Sequence, residues 1–181
     1  MSRFPVHNVD DAPTDAQDDL QAMQEAMGKV LNIHGGMAHS PVVLATYRAM
    51  GRALTEHGTF GTSTREAIAL SVGAVDKCDY CQAAHTVAAK RAGFDDDQTL
   101  SIRRGSGSGD EKLDALLAVS RQITDEVGYV EDATFRAARD AGWSEEQLAE
   151  LFAHVAVNLY TNYFNHYAGT ELDLPRAPAL G

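Results

Sequence analysis

The sequence predicts an all-α protein of about seven to eight helices. Apolar residues recur at intervals of three and four in nearly every segment, and two-residue strand alternation does not occur. The 181 residues can build one compact domain with a sizeable core, whereas two domains would be cramped. We therefore expect a flexible N-terminus over residues 1–14, one helical domain over residues 15–170, and an extended C-terminal tail over residues 171–181.

The first half of the chain contains four predicted helices. The first ends near His34–Gly36, and its apolar stripe consists of Leu20, Met23, Met27 and Val30. Pro41 is suited to the first turn of the second helix, which Gly58 ends. The third helix runs from Ser63 to about Val75, and the fourth carries both cysteines and ends at Gly93.

Four further helices are predicted after Gly93. A short one covers Asp95–Arg104, and a flexible Gly-Ser connector at 105–109 follows it. Helices at Lys112–Val127 and Asp132–Ala141 come next. A long last helix runs from Ser144 to about Tyr167, and Ser144 with Gln147 forms a capping-box pattern at its start.

Charge and motifs exclude several classes of function. The net charge of -11 and the pI near 4.9 oppose binding to nucleic acid or to an anionic membrane. The glycine-rich connector lacks the Gly-Lys-Ser/Thr of a phosphate loop, and we expect no cofactor. No signal peptide and no run of eighteen apolar residues is visible, so we expect a cytoplasmic protein.

The candidate chemistry lies in the pattern E-x11-C-x2-C-x3-H, formed by Glu66, Cys78, Cys81 and His85. Cys78 and Cys81 are the only cysteines, and helical spacing places them on one face with His85. If Asp76 caps this helix, Cys78 lies in the first turn, where amide N–H groups and the helix dipole stabilise a thiolate. His85 could then take the proton of Cys81. This geometry suits a dithiol that reduces peroxide.

Other interpretations of these residues stay open. A zinc or iron site would need Glu66 or a distant histidine such as His154 beside the two sulfurs. The cysteines could also be buried without a chemical role. Glu66 completes a Ser63-x-x-Glu66 capping box, which gives it a purely structural explanation. Tyr80, between the cysteines, is either a packing residue or a hydroxyl donor beside the sulfur.

Two segments resemble a known family. The run REAIALSVGAVDKCDYCQAAHTVAAKRAG looks like the core of the alkylhydroperoxidase D-like, or carboxymuconolactone decarboxylase, family. The closing stretch NLYTNYFNHYAGTELDLP is similar to the C-terminal end of the peroxidase-related members. The resemblance covers roughly residues 20–175 and implies the helical fold of that family.

The resemblance also implies a mechanism. It makes Cys81 the cysteine that attacks peroxide and Cys78 the one that closes the disulfide, with Glu66 and His85 as a proton relay. The best-described family form has histidine at the position of Tyr80, so the relay here is shorter or assisted by water. The implied partners are a peroxide substrate, a lipoyl-bearing or thioredoxin-like dithiol reductant, and further copies of the chain in a homo-oligomer. The decarboxylase branch generally lacks the cysteine pair, which makes a lactone decarboxylase a weaker alternative.

A second polar stripe follows the last helix. It consists of His154, Asn158, Asn162 and His166, with Asn165 beside them. Buried amides need hydrogen-bond partners, so such a stripe either lines a cleft or bridges subunits. We expect the subunit interface, with a role for His154 as an extra proton carrier near the thiols as the alternative.

Overall fold

The structure, a computed structural model, describes residues 2–180 as an all-α domain with no strand among them. Its nine α-helices confirm the predicted fold class. They are α1 (Thr14–Met27), α2 (Asn32–Met37), α3 (Pro41–His57), α4 (Thr62–Val75), α5 (Asp79–Arg91), α6 (Asp96–Arg104), α7 (Glu111–Asp125), α8 (Asp132–Asp140) and α9 (Glu145–Ala168).

The first predicted helix is in fact two helices. Gly28 adopts a left-handed conformation with φ of 80°, and its N–H closes α1 on the carbonyl of Gln24. A left-handed residue ends a helix, and glycine adopts this conformation at little cost. The prediction that α1 continues to 34–36 is therefore wrong, because the chain turns at Gly28 and a separate helix, α2, begins at Asn32.

One of the two predicted capping boxes forms. At the start of α9 the Gln147 N–H donates to Ser144 Oγ, and the Ser144 N–H donates to Gln147 Oε1, both at 3.1 Å. The box predicted for Ser63 and Glu66 is wrong, since α4 begins one residue earlier, after Gly61. The purely structural explanation of Glu66 is lost with it.

Helix α4 lies at the centre of the domain and packs against α5, α6, α7 and α9. Seven consecutive residues, 67–73, are buried, so all sides of its middle are covered. On one side is a core built with α6 to α9, represented by Leu70, Leu116 and Leu151. A second core lies among α1, α2 and α3 and includes both cysteines. The dithiol therefore belongs to the apolar interior.

A tight turn joins α4 to α5. Lys77 has a left-handed φ of 54°, and the Cys78 N–H donates to the carbonyl of Gly73 at 2.9 Å, which gives α4 a Schellman-type end. The prediction that Asp76 caps the cysteine helix is wrong. Asp76 ends α4, and Cys78 is itself the N-cap of α5.

Both terminal segments contact the body of the domain. The Arg3 N–H donates to the carbonyl of Ala168 at 2.7 Å, and the His7 N–H donates to that of Gly35 at 3.2 Å. A side chain at Gly35 would lie 2.4 Å from the carbonyl oxygen of His7, so this approach requires glycine. The flexibility expected of residues 1–14 stays a prediction, and Met1 and Gly181 lie outside the described residues.

The tail after α9 has no helix within the described residues and crosses the face of α5 and α6. Asp173 accepts from the Tyr80 hydroxyl at 2.7 Å and from Lys29 Nζ at 2.9 Å. Further along, Arg103 donates to the carbonyl of Pro178. Of the helices described, none combines the length and the apolar character that a membrane crossing requires.

The capping box of α9 gives a stability prediction. Ser144→Ala should lower the free energy of unfolding by about 1 kcal/mol, because the Gln147 N–H loses its acceptor. The urea unfolding midpoint should fall while the slope of the transition stays unchanged. Ser144→Asp keeps an acceptor at the cap and serves as the control, so equal losses in the two variants would contradict this role of Ser144.

Candidate active site

The two thiols lie side by side at the start of α5. Both side chains are reduced and buried, with Cys78 2% exposed and Cys81 3% exposed. The Cys81 N–H donates to Cys78 Sγ at 3.3 Å, in the manner of an N-cap residue. Asn165 on α9 reaches across, and its Nδ2 lies 3.3 Å from Cys81 Sγ and 3.9 Å from Cys78 Sγ.

The two sulfurs differ in acidity. A hydrogen bond from the Cys81 thiol to Cys78 lowers the pKa of the Cys78 thiol and raises the pKa of Cys81. Burial raises both pKa values, since a thiolate is poorly solvated in the interior. The Cys81 N–H and the Asn165 amide lower the pKa of Cys78 further. The first proton therefore leaves Cys78, and the Cys81 thiol hydrogen-bonds to the resulting anion.

The polar stripe of α9 faces the dithiol and the α4–α5 turn. Asn162 Nδ2 donates to Asp76 Oδ2 at 2.9 Å, and His166 Nε2 donates to the carbonyl of Asp76 at the same distance. Asn165 contacts the sulfurs, and Asn158 Nδ2 donates to the carbonyl of His154. The expectation that this stripe bridges subunits is wrong, because its buried amides are bonded within the chain.

Glu66 and His85 form a pair that we call the dyad. His85 Nδ1 lies 2.8 Å from Glu66 Oε2, across the interface of α4 and α5. Both side chains are partly exposed, at 20% and 29% respectively. Among the described residues Glu66 is the hydrogen-bond partner of His85, which makes no such contact with either sulfur. The expected direct proton transfer from Cys81 to His85 therefore lacks the hydrogen bond between the two side chains that it would need.

A cavity of about 360 Å³, which we call the dyad cavity, lies beside the dyad. The dyad forms part of its wall, and the opposite wall comes from α9 with His154, Asn158 and Thr161. The Thr161 hydroxyl donates to the carbonyl of Asn158 at 2.9 Å, and its position beside Cys81 lowers the pKa of that thiol. The remaining wall is mostly apolar and comprises Tyr47, Gly51, Leu54, Ala69 and Val157, with Arg65 beside them. A small molecule in this cavity would contact the acid–base pair and Thr161, the wall residue that lies beside Cys81.

Tyr47 forms part of the wall of the dyad cavity. Burial raises its pKa, and the nearby charges of Cys81 and Glu66 raise it further. Its ring stacks on that of the buried His34, with centroids 5.7 Å apart. Burial lowers the pKa of His34 to about 4, so its imidazole is neutral at physiological pH. Tyr47 thus supplies a neutral, largely apolar wall close to the reactive sulfur.

Tyr80 and His154, the two secondary candidates, have different places. The Tyr80 hydroxyl donates to Asp173, and burial followed by this hydrogen bond raises its pKa above the ordinary value. It therefore holds the tail against α5 and does not act as a base. His154 lies in the dyad cavity with Nε2 3.1 Å from Glu150 Oε1, and burial lowers its pKa.

The metal interpretation has no support from these positions. Glu66 pairs with His85, and His154 pairs with Glu150, so neither completes a ligand set with the sulfurs. Within residues 2–180, no three His, Cys, Asp or Glu side chains come together in a metal-binding group.

Three residues of the site lacked any signal in the sequence. Thr161, Tyr47 and Arg65 come from three different helices, and ordinary helical patterns surround each of them. Asn165 belonged to the α9 stripe, but its contact with the sulfurs could not be inferred from spacing. These positions follow from how α3 and α9 pack against the α4–α5 pair.

Part of the chain matches a protein-family model. Residues 41–107 match the model of the carboxymuconolactone decarboxylase family. This segment contains the dyad and both cysteines. The resemblance deduced from the sequence is therefore confirmed. No curated protein matches the sequence.

Solved structures show the same fold at low sequence identity. A peroxidase-related protein with an alkylhydroperoxidase AhpD core, from Ralstonia eutropha, superposes with a TM-score of 0.85 at 22% identity, over 95% of this chain and 92% of that one. A peroxidase-related protein from a Silicibacter species gives 0.78 at 21% identity, over 93% and 89%. A cysteine-to-alanine variant of the debrominase Bmp8, in complex with 2,3,4-tribromopyrrole, gives 0.80 at 17% identity, over 96% and 94%.

The hydrogen bonds of Asn165 predict its effect on the thiols. Asn165→Ala removes a donor that stabilises the anionic dithiol, so the lower thiol pKa should rise by about one unit. The pH dependence of iodoacetamide alkylation measures this shift. Asn158→Ala removes a buried amide that does not contact sulfur and is the control. Identical alkylation profiles in the two variants would contradict the assignment.

Proposed function

We propose that this protein, whose residues 41–107 match the carboxymuconolactone decarboxylase family, is a thiol-dependent peroxidase of the alkylhydroperoxidase D-like type. The observation that carries the proposal is the hydrogen-bonded dithiol next to a cavity that also holds an acid–base dyad. A dithiol without the dyad would be a redox pair without a proton source. Together they provide an electron pair for an O–O bond and a proton for the departing oxygen.

The first step oxidises Cys81. Its thiol proton passes to the Cys78 anion, to which it is already hydrogen-bonded. The Cys81 sulfur then attacks the terminal oxygen of the peroxide ROOH, forming an S–O bond while the O–O bond breaks. The leaving oxygen takes a proton from the Glu66–His85 dyad and departs as ROH, and Cys81 becomes a sulfenic acid. The dyad recovers its proton from solvent.

The second step closes the disulfide. The Cys78 thiol attacks the Cys81 sulfenic sulfur, the S–O bond breaks, and the hydroxyl leaves as water with the Cys78 proton. An external dithiol then reduces the disulfide by two exchange reactions and is itself oxidised. A lipoyl group on a flexible arm suits this role, because both sulfurs lie below the surface. A thioredoxin-like donor is the alternative.

A homo-oligomer belongs to the same proposal. Phe152, Tyr163 and Tyr167 are large apolar side chains on α9 that stay exposed in the single chain. Burial of such side chains between subunits is favourable, since apolar surface is removed from water. This supports an interface on the outer side of α9, opposite the stripe that faces the thiols.

The dithiol mechanism predicts the result of replacing each cysteine. Cys81→Ser should abolish peroxide consumption, because Cys81 is the attacking thiol in this mechanism. Cys78→Ser should stop at the Cys81 sulfenic acid, which dimedone labels. Peroxide should lower the intact mass of the parent protein by about 2 Da, the loss of two hydrogens, and dithiothreitol should restore it.

Two outcomes would favour other functions. Turnover of peroxide by Cys81→Ser at the parent rate would overturn the dithiol mechanism. Activity on a carboxylated lactone that survives replacement of both cysteines would instead indicate a decarboxylase.

The dyad supplies a second prediction. His85→Ala and Glu66→Gln should each lower kcat for peroxide by about 10²–10⁴-fold, the usual contribution of a general acid. Their thiols should still react with iodoacetamide, since neither residue bonds to sulfur. Stopped-flow oxidation of the reduced protein measures the chemical step directly. The exposed residues His57 and Glu126 provide matched controls as His57→Ala and Glu126→Gln. If the dyad variants lowered kcat no more than these controls do, the dyad would have no part in the mechanism.

A further inference from the structure

Arg65 is a cation in the dyad cavity without an anionic partner. Its Nε is buried and lacks a hydrogen-bond acceptor among residues 2–180, while Nη2 contacts only Thr62 Oγ1, at 3.3 Å. Arg65 forms no ion pair within the part of the chain that the structure describes. Two carboxylates of this region are already engaged, because Glu66 bonds to His85, and Glu150 accepts from Thr59, Phe60 and His154.

The chemistry of the guanidinium group indicates which class of ligand would pair with Arg65. A guanidinium presents parallel N–H donors that match the two oxygens of a carboxylate. A buried donor without an acceptor is unfavourable, and a bound anion would satisfy it. The chain carries a net charge of -11, so its overall field repels anions and a local cation is needed to retain one. These properties favour a carboxylate ligand at Arg65.

The rest of the cavity limits the size and character of the ligand. Its volume of about 360 Å³ admits a small organic molecule, and the apolar side chains of Leu54, Ala69 and Val157 suit a hydrocarbon body. The polar groups are concentrated around the dyad and Thr161, next to Cys81. Hydrogen peroxide would use neither the apolar wall nor the guanidinium.

We propose that the dyad cavity binds small organic hydroperoxides that carry a carboxylate, and that Arg65 is the residue that binds the carboxylate. This inference rests on the proposed peroxidase function and names its substrate class. The carboxylate pairs with Arg65, the hydrocarbon body contacts the apolar wall, and the peroxide group lies between the dyad and Cys81. Arg65 determines specificity and orientation, and Cys81 and the dyad perform the chemistry.

A neighbouring cleft provides a contrast within the same chain. It lies between α1 and α3 and is lined by Arg48. The Arg48 guanidinium is paired with Asp19 at 3.1 Å, so its charge is already balanced. The other arginine of the cleft, Arg52, is exposed to solvent. A buried guanidinium N–H without an acceptor therefore distinguishes the dyad cavity from this cleft.

Equilibrium binding tests the site without any turnover. Hexanoate and its methyl ester serve as unreactive probes, and calorimetric titration of the reduced parent protein should show the acid bound at least about tenfold more tightly, a difference of about 1.4 kcal/mol. Arg65→Gln should bring the ratio of the two affinities to about one. Arg65→Lys should restore part of it, which also shows that the fold tolerates the position. Equal binding of acid and ester by the parent, or an unchanged preference in Arg65→Gln, would overturn the site.

Kinetics then connect the site to the reaction. For a carboxylated alkyl hydroperoxide, Arg65→Gln should raise KM by about tenfold or more with a smaller fall in kcat, and the acid and its methyl ester should become equivalent substrates. Arg48→Gln is the control and should keep the discrimination between acid and ester. If the parent prefers the carboxylate probe but consumes no hydroperoxide, the peroxidase function fails while the carboxylate site stands. If it consumes acid and ester hydroperoxides equally well, the inferred specificity is wrong.

Discussion

The antiparallel packing of α4 against α5 is the constraint on which the site depends. A turn of only three residues, 76–78, reverses the chain between the two helices. Near the turn, a side chain at Gly73 would come within 3.4 Å of Cys81 Cβ, so the helices lie close together there. Two turns further along, the same pairing brings Glu66 to 2.8 Å from His85. The same helix pair therefore positions both the thiols and the dyad.

Burial gives this arrangement its chemical asymmetry. In water two cysteines three residues apart would titrate almost alike. In the interior, hydrogen bonds decide where the charge lies, because each donor counts for more where solvation is poor. Cys78 accepts from the Cys81 N–H and thiol, whereas Cys81 lies beside Thr161, and Asn165 contacts both sulfurs. The sulfur that holds the anion and the sulfur beside Thr161 in the cavity wall are consequently different atoms.

Helix α9 connects the two halves of the site. Its stripe bonds to the α4–α5 turn through Asn162 and His166, contacts the sulfurs through Asn165, and continues into the cavity with Asn158 and His154. Buried amides require partners, which explains why a polar stripe occurs on the inner side of an otherwise apolar helix. Periodicity showed that these residues share a face, but it could not show which neighbour that face meets. The expectation of a subunit interface was wrong for that reason.

The sequence by itself determined the helical class, most helix boundaries, and the set Glu66, Cys78, Cys81 and His85. These follow from local patterns, namely apolar period, glycine and proline positions, and the scarcity of cysteine. Where two local signals compete, the sequence did not fix the helix boundary. Gly28 ends α1 earlier than predicted, and Asp76 ends α4 while Cys78 caps α5.

Only the tertiary structure decided what these residues do together. In the structure Glu66 pairs with His85 and does not cap α4, and Tyr80 bonds to Asp173 of the tail. Arg65 lies in the cavity without a carboxylate partner. Each of these facts depends on residues from distant segments meeting in space. The physical reason is that spacing along a helix specifies a direction for a side chain, whereas charge, burial and hydrogen bonding depend on what lies in that direction.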